Sequence, residues 1–225
     1  MREDERLGGY LNSLYPGNSD FLERLEKRCI AGRIPLIRKE TQSFLRFILS
    51  LKDPRNILEI GAATGFSSIF MAEYSSKETR ITTIENYEKR IAEARENIER
   101  SGYPDKIRLI EGNAEEVLPA LDPGYDLIFI DAAKAQYPVY LKESKRLLLQ
   151  GGMIIADNCL QEGDILESRY AVERRDRTIH KRMREFLREI TSMEGYTSTL
   201  LSAGDGIAIA CKNEETGTPD PGQGT

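Results

Sequence analysis

Acidic side chains and an amide follow two apolar segments that are typical of buried β-strands. The run at 127–130 leads into Asp131, and the run at 153–156 leads into Asp157 and Asn158. Parallel strands bind ligands at their carboxyl edge, and neighbouring strands lie about 4.8 Å apart, so these side chains can meet at one point. Carboxylate and amide oxygens suit Mg²⁺, whereas Zn²⁺ prefers histidine and cysteine. The pattern predicts a hard divalent cation held by all three residues.

This predicted metal site makes one geometric demand, and a simpler interpretation competes with it. Consecutive strand residues point to opposite faces, so Asp157 and Asn158 can bind one ion only if the backbone bends there. In the simpler interpretation Asp131 caps a helix, and Asp157 with Asn158 forms an ordinary turn. Lys134 is either a solvated lysine or a proton acceptor whose charged form a nearby cation disfavours.

A turn that contains glycine precedes these acids in the chain. The segment EIGAATGFSS places Gly61 and Gly65 between a strand and a helix, where the missing Cβ atoms let a ligand approach the backbone. A dinucleotide fingerprint would need glycine at position 63, which is Ala63, so a cofactor without a pyrophosphate fits better. Glu85 ends the next strand, where its carboxylate can accept hydrogen bonds from ribose hydroxyls.

Two further positions complete the predicted cofactor cleft. Asn113 and Ala114 follow the third strand at the same edge of the sheet, where they could flank an adenine. The alternative is that Gly61 and Gly65 only allow a helix to pack closely on the strand. Glu85 and Asn113 stand at successive strand ends, which favours the cofactor interpretation.

The rest of the chain predicts the elements that position these residues. Two segments with helical spacing of apolar residues lie before the first strand, within residues 1–55. From Asn56 onward strands and helices alternate, which predicts an α/β fold with a doubly wound, mostly parallel sheet of seven strands. A Gly-Asp-Gly turn joins the last two strands into an antiparallel hairpin. We predict one domain over 1–213 and a disordered tail over 214–225.

The composition is typical of a soluble globular protein. The chain has 225 residues, and no run approaches the ~18 apolar residues that a membrane span needs. The start of the sequence lacks a secretory signal, and the three cysteines have neither metal nor redox spacing, so we expect a cytoplasmic protein with reduced thiols. The formal net charge of −5 disfavours non-specific coating of nucleic acid, although a local basic patch could still bind RNA.

Taken together, these motifs resemble one family of enzymes. The segments LEIGAATGFSS, TTIE, EGNAEEVLP, YDLIFIDAAKAQY and GGMIIADN resemble the S-adenosylmethionine- and divalent-metal-dependent O-methyltransferases of the catechol and caffeoyl-CoA type. The bacterial branch that the chain resembles most includes the tRNA 5-hydroxyuridine methyltransferase. The resemblance implies a Rossmann-like methyltransferase fold, a homodimer, S-adenosylmethionine as cofactor, and a metal on Asp131, Asp157 and Asn158.

The resemblance also implies roles for individual residues. Lys134 and Asp131 are implied to be catalytic, with Lys134 as the acceptor of the substrate's hydroxyl proton and Asp131 also beside the methionine end of the cofactor. The further residues implied to contact the cofactor or shape its pocket are Ile37 or Arg38, Glu59, Gly61, Ser68, Glu85, Asn113 and Ala114. A divalent ion that chelates two neighbouring acceptor oxygens would orient the acceptor and lower its hydroxyl pKa, and both a catechol and 5-hydroxyuridine offer that geometry.

The insertion at 159–195 bears on the substrate. An apolar stripe at helical spacing is predicted to face the core or a dimer partner, and it consists of Ile179, Met183, Phe186, Leu187 and Ile190. The basic residues that could bind tRNA phosphates are Arg174, Arg175, Arg177, Lys181, Arg184 and Arg188. The alternative is a solvated face on which these cations pair with Glu173, Asp176 and Glu185. His180 is expected to pack at the edge of the stripe rather than to act as a base.

Three functions therefore compete. The main hypothesis is methylation of 5-hydroxyuridine at the tRNA wobble position to 5-methoxyuridine, and the second is the same reaction on a catechol-like or caffeoyl-CoA-like small molecule. The third is a different class, a nucleotide-binding oxidoreductase or a noncatalytic binding module. Ala63 disfavours the oxidoreductase, and the combination of Asp131, Lys134, Asp157 and Asn158 disfavours a binding module.

Overall fold

A seven-stranded sheet with helices packed on it forms the centre of the structure, a computed structural model that describes residues 3–168 and 170–214. The strands are β1 Asn56–Ile60, β2 Arg80–Glu85, β3 Ile107–Glu111, β4 Tyr125–Ile130, β5 Leu148–Ala156, β6 Tyr196–Leu201 and β7 Ile207–Lys212. The helices are α1 Glu3–Leu14, α2 Asp20–Ala31, α3 Lys39–Lys52, α4 Phe66–Tyr74, α5 Glu88–Arg100, α6 Ala114–Val117, α7 Tyr137–Leu147 and α8 Arg177–Ser192.

The order of the strands brings the predicted site residues to one edge. The sheet runs β3-β2-β1-β4-β5-β7-β6, in which β1 to β5 are parallel and β7 is antiparallel to both β5 and β6. The predicted fold class and the C-terminal hairpin are therefore confirmed. Because β4 and β5 are neighbours, the residues that follow them lie side by side. Because β7 runs in the opposite direction, it begins at the edge where β4 and β5 end.

Alternation along the strands divides the core into two layers. Ile57 and Leu127 pack on one face of the sheet with helices α2, α3 and α4, whereas Leu58 and Ile128 pack on the other with α7 and α8. The central strands are apolar on both faces because helices cover both faces. The apolar stripe of α8 faces this second layer, and Phe186 packs edge-on against Tyr137 with 5.3 Å between ring centres. Of the two predicted alternatives for the stripe, the core is confirmed.

Several predicted elements differ in detail from the structure. A third helix, α1, precedes the two predicted before β1, and its Leu7, Leu11 and Leu14 follow the i, i+4, i+7 spacing of a helix face. The short helix α6, which follows β3, ends at Val117 and continues as a 3-10 turn that contains Pro119. Apart from Glu214, the tail predicted over 214–225 lies outside the described residues. The division into one domain over 1–213 stays a prediction.

None of the helices in the described part of the chain combines the length and the apolar composition needed to cross a bilayer. The three cysteines, Cys29, Cys159 and Cys211, are free thiols, as expected.

Candidate active site

A left-handed glycine begins the turn between β1 and α4. Gly61 has a φ of +101°, and a Cβ atom there would lie 2.2 Å from the carbonyl oxygen of Asp131, so the position requires glycine. Ala63 also adopts a left-handed φ of +45°, which costs a residue with a Cβ about 1–3 kcal/mol. The N–H of Ala63 donates to Oε2 of Glu85 at 2.7 Å, which helps to hold this conformation. The turn is thus fixed against the ends of both β2 and β4.

Glu85 lies at the end of β2, where the sequence places it. Its Oε1 accepts the backbone N–H groups of Asn86 and Tyr87, both at 2.9 Å, so the carboxylate accepts three backbone N–H groups in all. The side chain also borders a cleft of about 190 Å³ that Gly61 and Ala114 help to line. A carboxylate oxygen has two lone pairs, so Oε2 can accept a ribose hydroxyl in addition to the N–H of the turn.

A larger cavity of about 450 Å³ adjoins this cleft. Four residues line both spaces, namely Gly61, Ala63, Asp131 and Ala132. Further residues of the larger cavity are Ile37, Arg38, Ser67, Lys134 and Asn158. The arrangement offers one space for a nucleoside and, directly beside it, a second space for the reacting atoms.

Two of the predicted cofactor residues point elsewhere. Ser68 is fully buried and donates its hydroxyl to Glu59, while Asn113 caps α6 by accepting the N–H of Glu115 at 3.1 Å. Their neighbours Ser67 and Gly112 line the two spaces instead, and neither was singled out from the sequence. Consecutive residues of a helix point about 100° apart, so a one-residue difference in register decides which serine faces the cavity.

Glu59 supports the glycine turn from within the sheet. The side chain is fully buried, and Thr83 donates its hydroxyl to Oε2 at 2.5 Å, while Oε1 has no hydrogen-bond partner in the described part of the chain. Burial raises the pKa of Glu59 to about 7, and the hydroxyl groups of Ser67, Ser68 and Thr83 offset part of that effect. Glu59 therefore lines neither of the two spaces. It supports the glycine turn through its buried hydrogen bonds with Ser68 and Thr83.

The three predicted metal ligands lie together at the ends of β4 and β5. Asn158 donates its side-chain Nδ2 to Oδ1 of Asp131 at 2.9 Å and its backbone N–H to Oδ1 of Asp157 at 2.9 Å. Asn158 also has a φ of +58°. This left-handed residue is the backbone bend that the predicted site requires, and it turns consecutive residues toward one point.

Asp157 is held on several sides, yet it keeps one carboxylate oxygen unpartnered. Thr41 of α3 donates its hydroxyl to Oδ1 at 3.1 Å, and Tyr137 of α7 donates its phenol to the backbone carbonyl at 2.9 Å. The residue is 1% exposed, and Oδ2 has no hydrogen-bond partner among the residues that the structure describes. A buried carboxylate oxygen without a partner is costly, so it indicates a position that a ligand completes.

Burial raises the pKa of both carboxylates at this point. The pKa of Asp157 rises to about 7, mainly through burial and further through the negative charge of Asp131. Burial also raises the pKa of Asp131, while the hydrogen bond from Asn158 and the charge of Lys134 act in the opposite direction. A divalent cation would neutralise both acids and satisfy the unpartnered oxygen, so the donor set fits a hard metal ion. Among the described residues, no group of three or more His, Cys, Asp or Glu is arranged as a metal site.

Lys134 faces the larger cavity from the segment after β4. Its Nζ lies 3.5 Å from Oδ2 of Asp205, and its side chain is 32% exposed. Asp205 belongs to the turn between β6 and β7 and is 5% exposed. The sequence predicts that Gly-Asp-Gly segment only as a turn, although an acid between two glycines at the start of a strand is also a signal for a site residue.

The segment before α3 contains the remaining residues that are predicted to contact the cofactor. Ile37 is buried and its carbonyl accepts Nε2 of Gln42 at 3.1 Å, and Arg38 follows it directly before the first residue of α3. Both residues line the larger cavity. Thr41, one turn further along, reaches Asp157, so the N-terminal helices contribute to the site.

The basic residues around α8 are largely engaged with neighbouring groups. Arg175 pairs with Glu173 at 3.0 Å and with Asp176 at 3.4 Å, and Lys181 pairs with Glu185 at 3.6 Å. These are the pairs of the solvated-face alternative, and their side chains are mostly exposed. Exposed ion pairs contribute little to stability, so these pairs do little to stabilise helix α8.

Other residues of the basic set contact backbone carbonyls. Arg177 donates to the carbonyl of Val172 at 3.3 Å, and Arg184 donates to that of Glu167 at 3.3 Å. Arg174 and Arg188 are exposed. His180 is 3% exposed, with Nε2 at 3.2 Å from the carbonyl oxygen of Glu167, so it packs as expected.

Comparison with known proteins identifies the family to which the chain belongs. The family model described as O-methyltransferase matches residues 13–213 of the chain. The chain belongs to the O-methyltransferase family. A relative of this O-methyltransferase, the catechol O-methyltransferase of Niastella koreensis, is 38% identical over 169 residues, which cover 72% of this chain and 76% of the relative.

Solved structures of the family share the whole architecture. A Staphylococcus aureus protein named as a candidate caffeoyl-CoA O-methyltransferase is 32% identical, with a TM-score of 0.85 over 92% of this chain and 99% of that one. An O-methyltransferase from Bacillus cereus, crystallised in complex with SAH, is 27% identical, with a TM-score of 0.81 over 92% of this chain and 97% of that one. The sheet described above is therefore the Rossmann-like fold of these methyltransferases.

Proposed function

We propose that this O-methyltransferase transfers a methyl group from S-adenosylmethionine to a hydroxyl of a catechol-like small molecule, with the help of a hard divalent cation. The observation that carries the proposal is that Asp131, Asp157 and Asn158 meet beside the cavity that Asp131, Asn158 and Lys134 line. Family membership supports the reaction, and the SAH in the Bacillus cereus relative supports the cofactor.

The two adjoining spaces support a definite placement of the cofactor. The adenosine would occupy the smaller cleft, with its ribose hydroxyls on Glu85 and its base near Ala114. The methionine end would extend past Gly61 into the larger cavity, between Asp131 and the segment of Ile37 and Arg38. Glu59, Ser68 and Asn113 would act indirectly, since Glu59 and Ser68 bond to each other behind the turn and Asn113 caps α6.

The acids at the ends of β4 and β5 would hold the cation. Asp131 and Asp157 would supply carboxylate oxygens, among them the unpartnered Oδ2 of Asp157, and Asn158 would supply an amide oxygen. When bound, S-adenosylmethionine supplies an activated methyl group, and the divalent ion orients two neighbouring acceptor oxygens and lowers the hydroxyl pKa. Thr41 and Tyr137 would keep Asp157 in place while the acceptor enters and leaves.

Lys134 would accept the proton of the acceptor hydroxyl. Its Nζ faces the cavity beside Asp131, and an amine is a general base when it is neutral. The residues that line the cavity would also exclude water and align the acceptor oxygen with the methyl group, which is the main requirement for transfer from an activated donor.

Two acceptors were predicted, a small molecule and tRNA, and several observations favour the small molecule. The catechol O-methyltransferase relative and the caffeoyl-CoA-type structure support a small molecule with neighbouring oxygens better than they support the tRNA acceptor of our main hypothesis. The pairing of the basic residues around α8 with their own acids points the same way. The tRNA acceptor and the homodimer both stay predictions.

A direct assay tests this function. The purified protein is incubated with S-adenosylmethionine and caffeate, with Mg²⁺ or with EDTA, and the methylated product is measured by mass spectrometry. We expect one methyl ether with Mg²⁺, at least ~100-fold less with EDTA, and no product from 4-hydroxycinnamate, which lacks the neighbouring hydroxyl. Undiminished transfer in EDTA would contradict the role of the cation. Methylation of tRNA that carries 5-hydroxyuridine, without methylation of any catechol, would contradict the choice of acceptor.

A further inference from the structure

The turn between β6 and β7 brings a further acid to the carboxyl edge of the sheet. The N–H of Gly206 donates to the carbonyl of Ala203 at 2.9 Å, so residues 203–206 form a tight turn with Asp205 near its tip. β7 pairs with β5 in the antiparallel direction, with Ala208 opposite Ala156. The turn therefore lies beside Asp157, although some fifty residues separate them in the chain.

Backbone contacts fix this turn against the site. The N–H of Leu160 donates to the carbonyl of Asp205 at 2.8 Å, and the N–H of Cys159 donates to the carbonyl of Gly206 at 3.0 Å. Gly206 has a φ of +85°, and a Cβ atom there would lie 2.2 Å from Cγ of Leu160. The turn is thus joined to the segment that follows the predicted metal ligands, and Asp205 has little freedom to move away.

Asp205 and Lys134 meet at the larger cavity. The carboxylate is 5% exposed and the lysine side chain is 32% exposed, so the 3.5 Å contact is better shielded from water than a surface ion pair. Lys134 also interacts electrostatically with Asp131 and with the Cys159 thiol, and Arg38 lines the same cavity.

The helix packed behind Lys134 contributes one more charge. Arg182 of α8 donates to the carbonyl of Ala135 at 2.9 Å and to the side chain of Gln136 at 3.2 Å. It therefore holds the backbone on which Lys134 stands, whereas Asp205 holds the amine itself.

We propose that Asp205 is a positioning residue, which acts by holding the amine of Lys134 at the wall of the acceptor cavity. A lysine side chain has four rotatable bonds, and a single charged partner at its end removes much of that freedom. Asp205 restrains the amine between turnovers and returns it to the place where it meets the acceptor hydroxyl. This inference rests on the proposed function for its effect on catalysis, but the contact itself is independent of that function.

The first test measures the lysine without any catalysis. Wild-type protein and Asp205→Asn are treated briefly with an amine-acylating reagent, and the modification of each lysine is followed by peptide mass spectrometry. We expect Lys134 to react several-fold faster in Asp205→Asn, while Lys142, an exposed lysine of α7, reacts equally in both. The matched control is Asp164→Asn, which removes an exposed carboxylate and leaves the reactivity of Lys134 unchanged. Equal labelling of Lys134 in the wild type and in Asp205→Asn would overturn the proposal.

The second test uses the methyl-transfer assay and a double-mutant cycle. We expect Asp205→Asn to lower kcat about 10-fold or more, with little change in cofactor affinity, and Asp205→Glu to recover part of the loss. In the Lys134→Met background, Asp205→Asn should have almost no further effect, because a residue that acts through Lys134 has nothing left to position. Additive losses in the double variant would overturn the proposal even if each single variant is impaired.

The two tests separate the possible failures. If the wild type methylates no catechol, the proposed function fails, and the labelling result still decides whether Asp205 holds Lys134. If Asp205→Asn does not fold, Asp205→Glu replaces it in both tests. It keeps the charge but displaces it by one methylene, so the proposal then requires faster labelling of Lys134 and a lower kcat at unchanged cofactor affinity.

Discussion

Two acids at the same edge of the sheet are held in opposite ways. Glu85, at the end of β2, accepts three backbone N–H groups and ties the turn after β1 to the segment after β2. Asp157, after β5, accepts hydrogen bonds at Oδ1, while its Oδ2 is buried and has no partner within residues 3–168 and 170–214. The Glu85 carboxylate therefore stabilises the wall of a cleft. The Asp157 carboxylate instead has an oxygen that a cation can bind. This difference separates the proposed cofactor half of the site from the proposed metal half.

The largest effect that this comparison predicts comes from the metal half. Asp157→Ala should reduce Mg²⁺-dependent methyl transfer by more than ~100-fold, since even an outer-shell partner of a metal ligand is worth 10–100-fold. S-adenosylmethionine affinity should stay within about threefold, because Glu85 and the glycine turn are untouched. Calorimetric titration of the cofactor, beside the rate, measures both quantities. Loss of cofactor binding to the same degree as the rate would mean that the two halves are not separate.

A pH-dependent effect on stability is expected from the acid behind the turn. Burial raises the pKa of Glu59 from 4.5 to about 7, so the folded protein keeps a proton that the unfolded chain has already released. The free energy of unfolding should then fall as pH rises through that interval and level off above it, by about 3 kcal/mol in all, since each pH unit contributes ~1.4 kcal/mol. Urea unfolding at several pH values, for wild type and Glu59→Gln, measures the difference.

Glu59→Gln provides the control because it keeps the shape and cannot release a proton. Between pH 5 and pH 8 the free energy of unfolding of the wild type should fall relative to that of the variant. If the difference in free energy of unfolding does not change with pH, Glu59 has the same pKa in the folded and the unfolded protein, which contradicts the prediction. The direction is opposite to that of a salt-bridged carboxylate, whose stabilising effect is lost on acidification.

A smaller effect is expected from the cofactor half. Glu85→Gln places an NH₂ group against backbone N–H donors, so the turn should loosen and one acceptor of ribose hydroxyls should be lost. We expect the cofactor Kd to rise about 10-fold, while the rate at saturating cofactor changes less than the affinity does, which is the reverse of the Asp157→Ala pattern. If Glu85→Gln instead binds the cofactor normally and has a low rate at saturating cofactor, Glu85 and Asp157 do not play different roles.

The smallest effect is expected on helix α8, at two arginines that line neither space of the site. Reversing the charges of Arg184 and Arg188 to glutamate should leave catechol methylation within about twofold of wild type, since exposed substitutions usually change free energies by less than ~0.5 kcal/mol. The same variant should bind tRNA with the same salt dependence as the wild type. Weaker tRNA binding with a reduced salt slope would instead support the RNA acceptor of our main hypothesis.

Local patterns predicted most of the fold and the positions of the main acids. The alternation of apolar strands and amphipathic helices gave the parallel sheet, and the acids at strand ends gave Asp131, Asp157 and Glu85. The resemblance implied a role for Ser68, whereas Ser67 lines the larger cavity, because one step along a helix turns the side chain by about 100°. The local pattern did not predict α1, whose three leucines are spaced along a segment rich in polar and charged residues.

The sequence by itself determined which residue types stand at the ends of which strands, because strand periodicity and the turn residues are local properties of the chain. Only the tertiary structure decided which side chains complete the site. Thr41 lies 116 positions from Asp157, Tyr137 lies 20 positions from it, and Asp205 lies 71 positions from Lys134. These contacts depend on how α3 packs on the sheet and on the reversal of β7, and no local pattern encodes a distance between elements that only the packed core brings together.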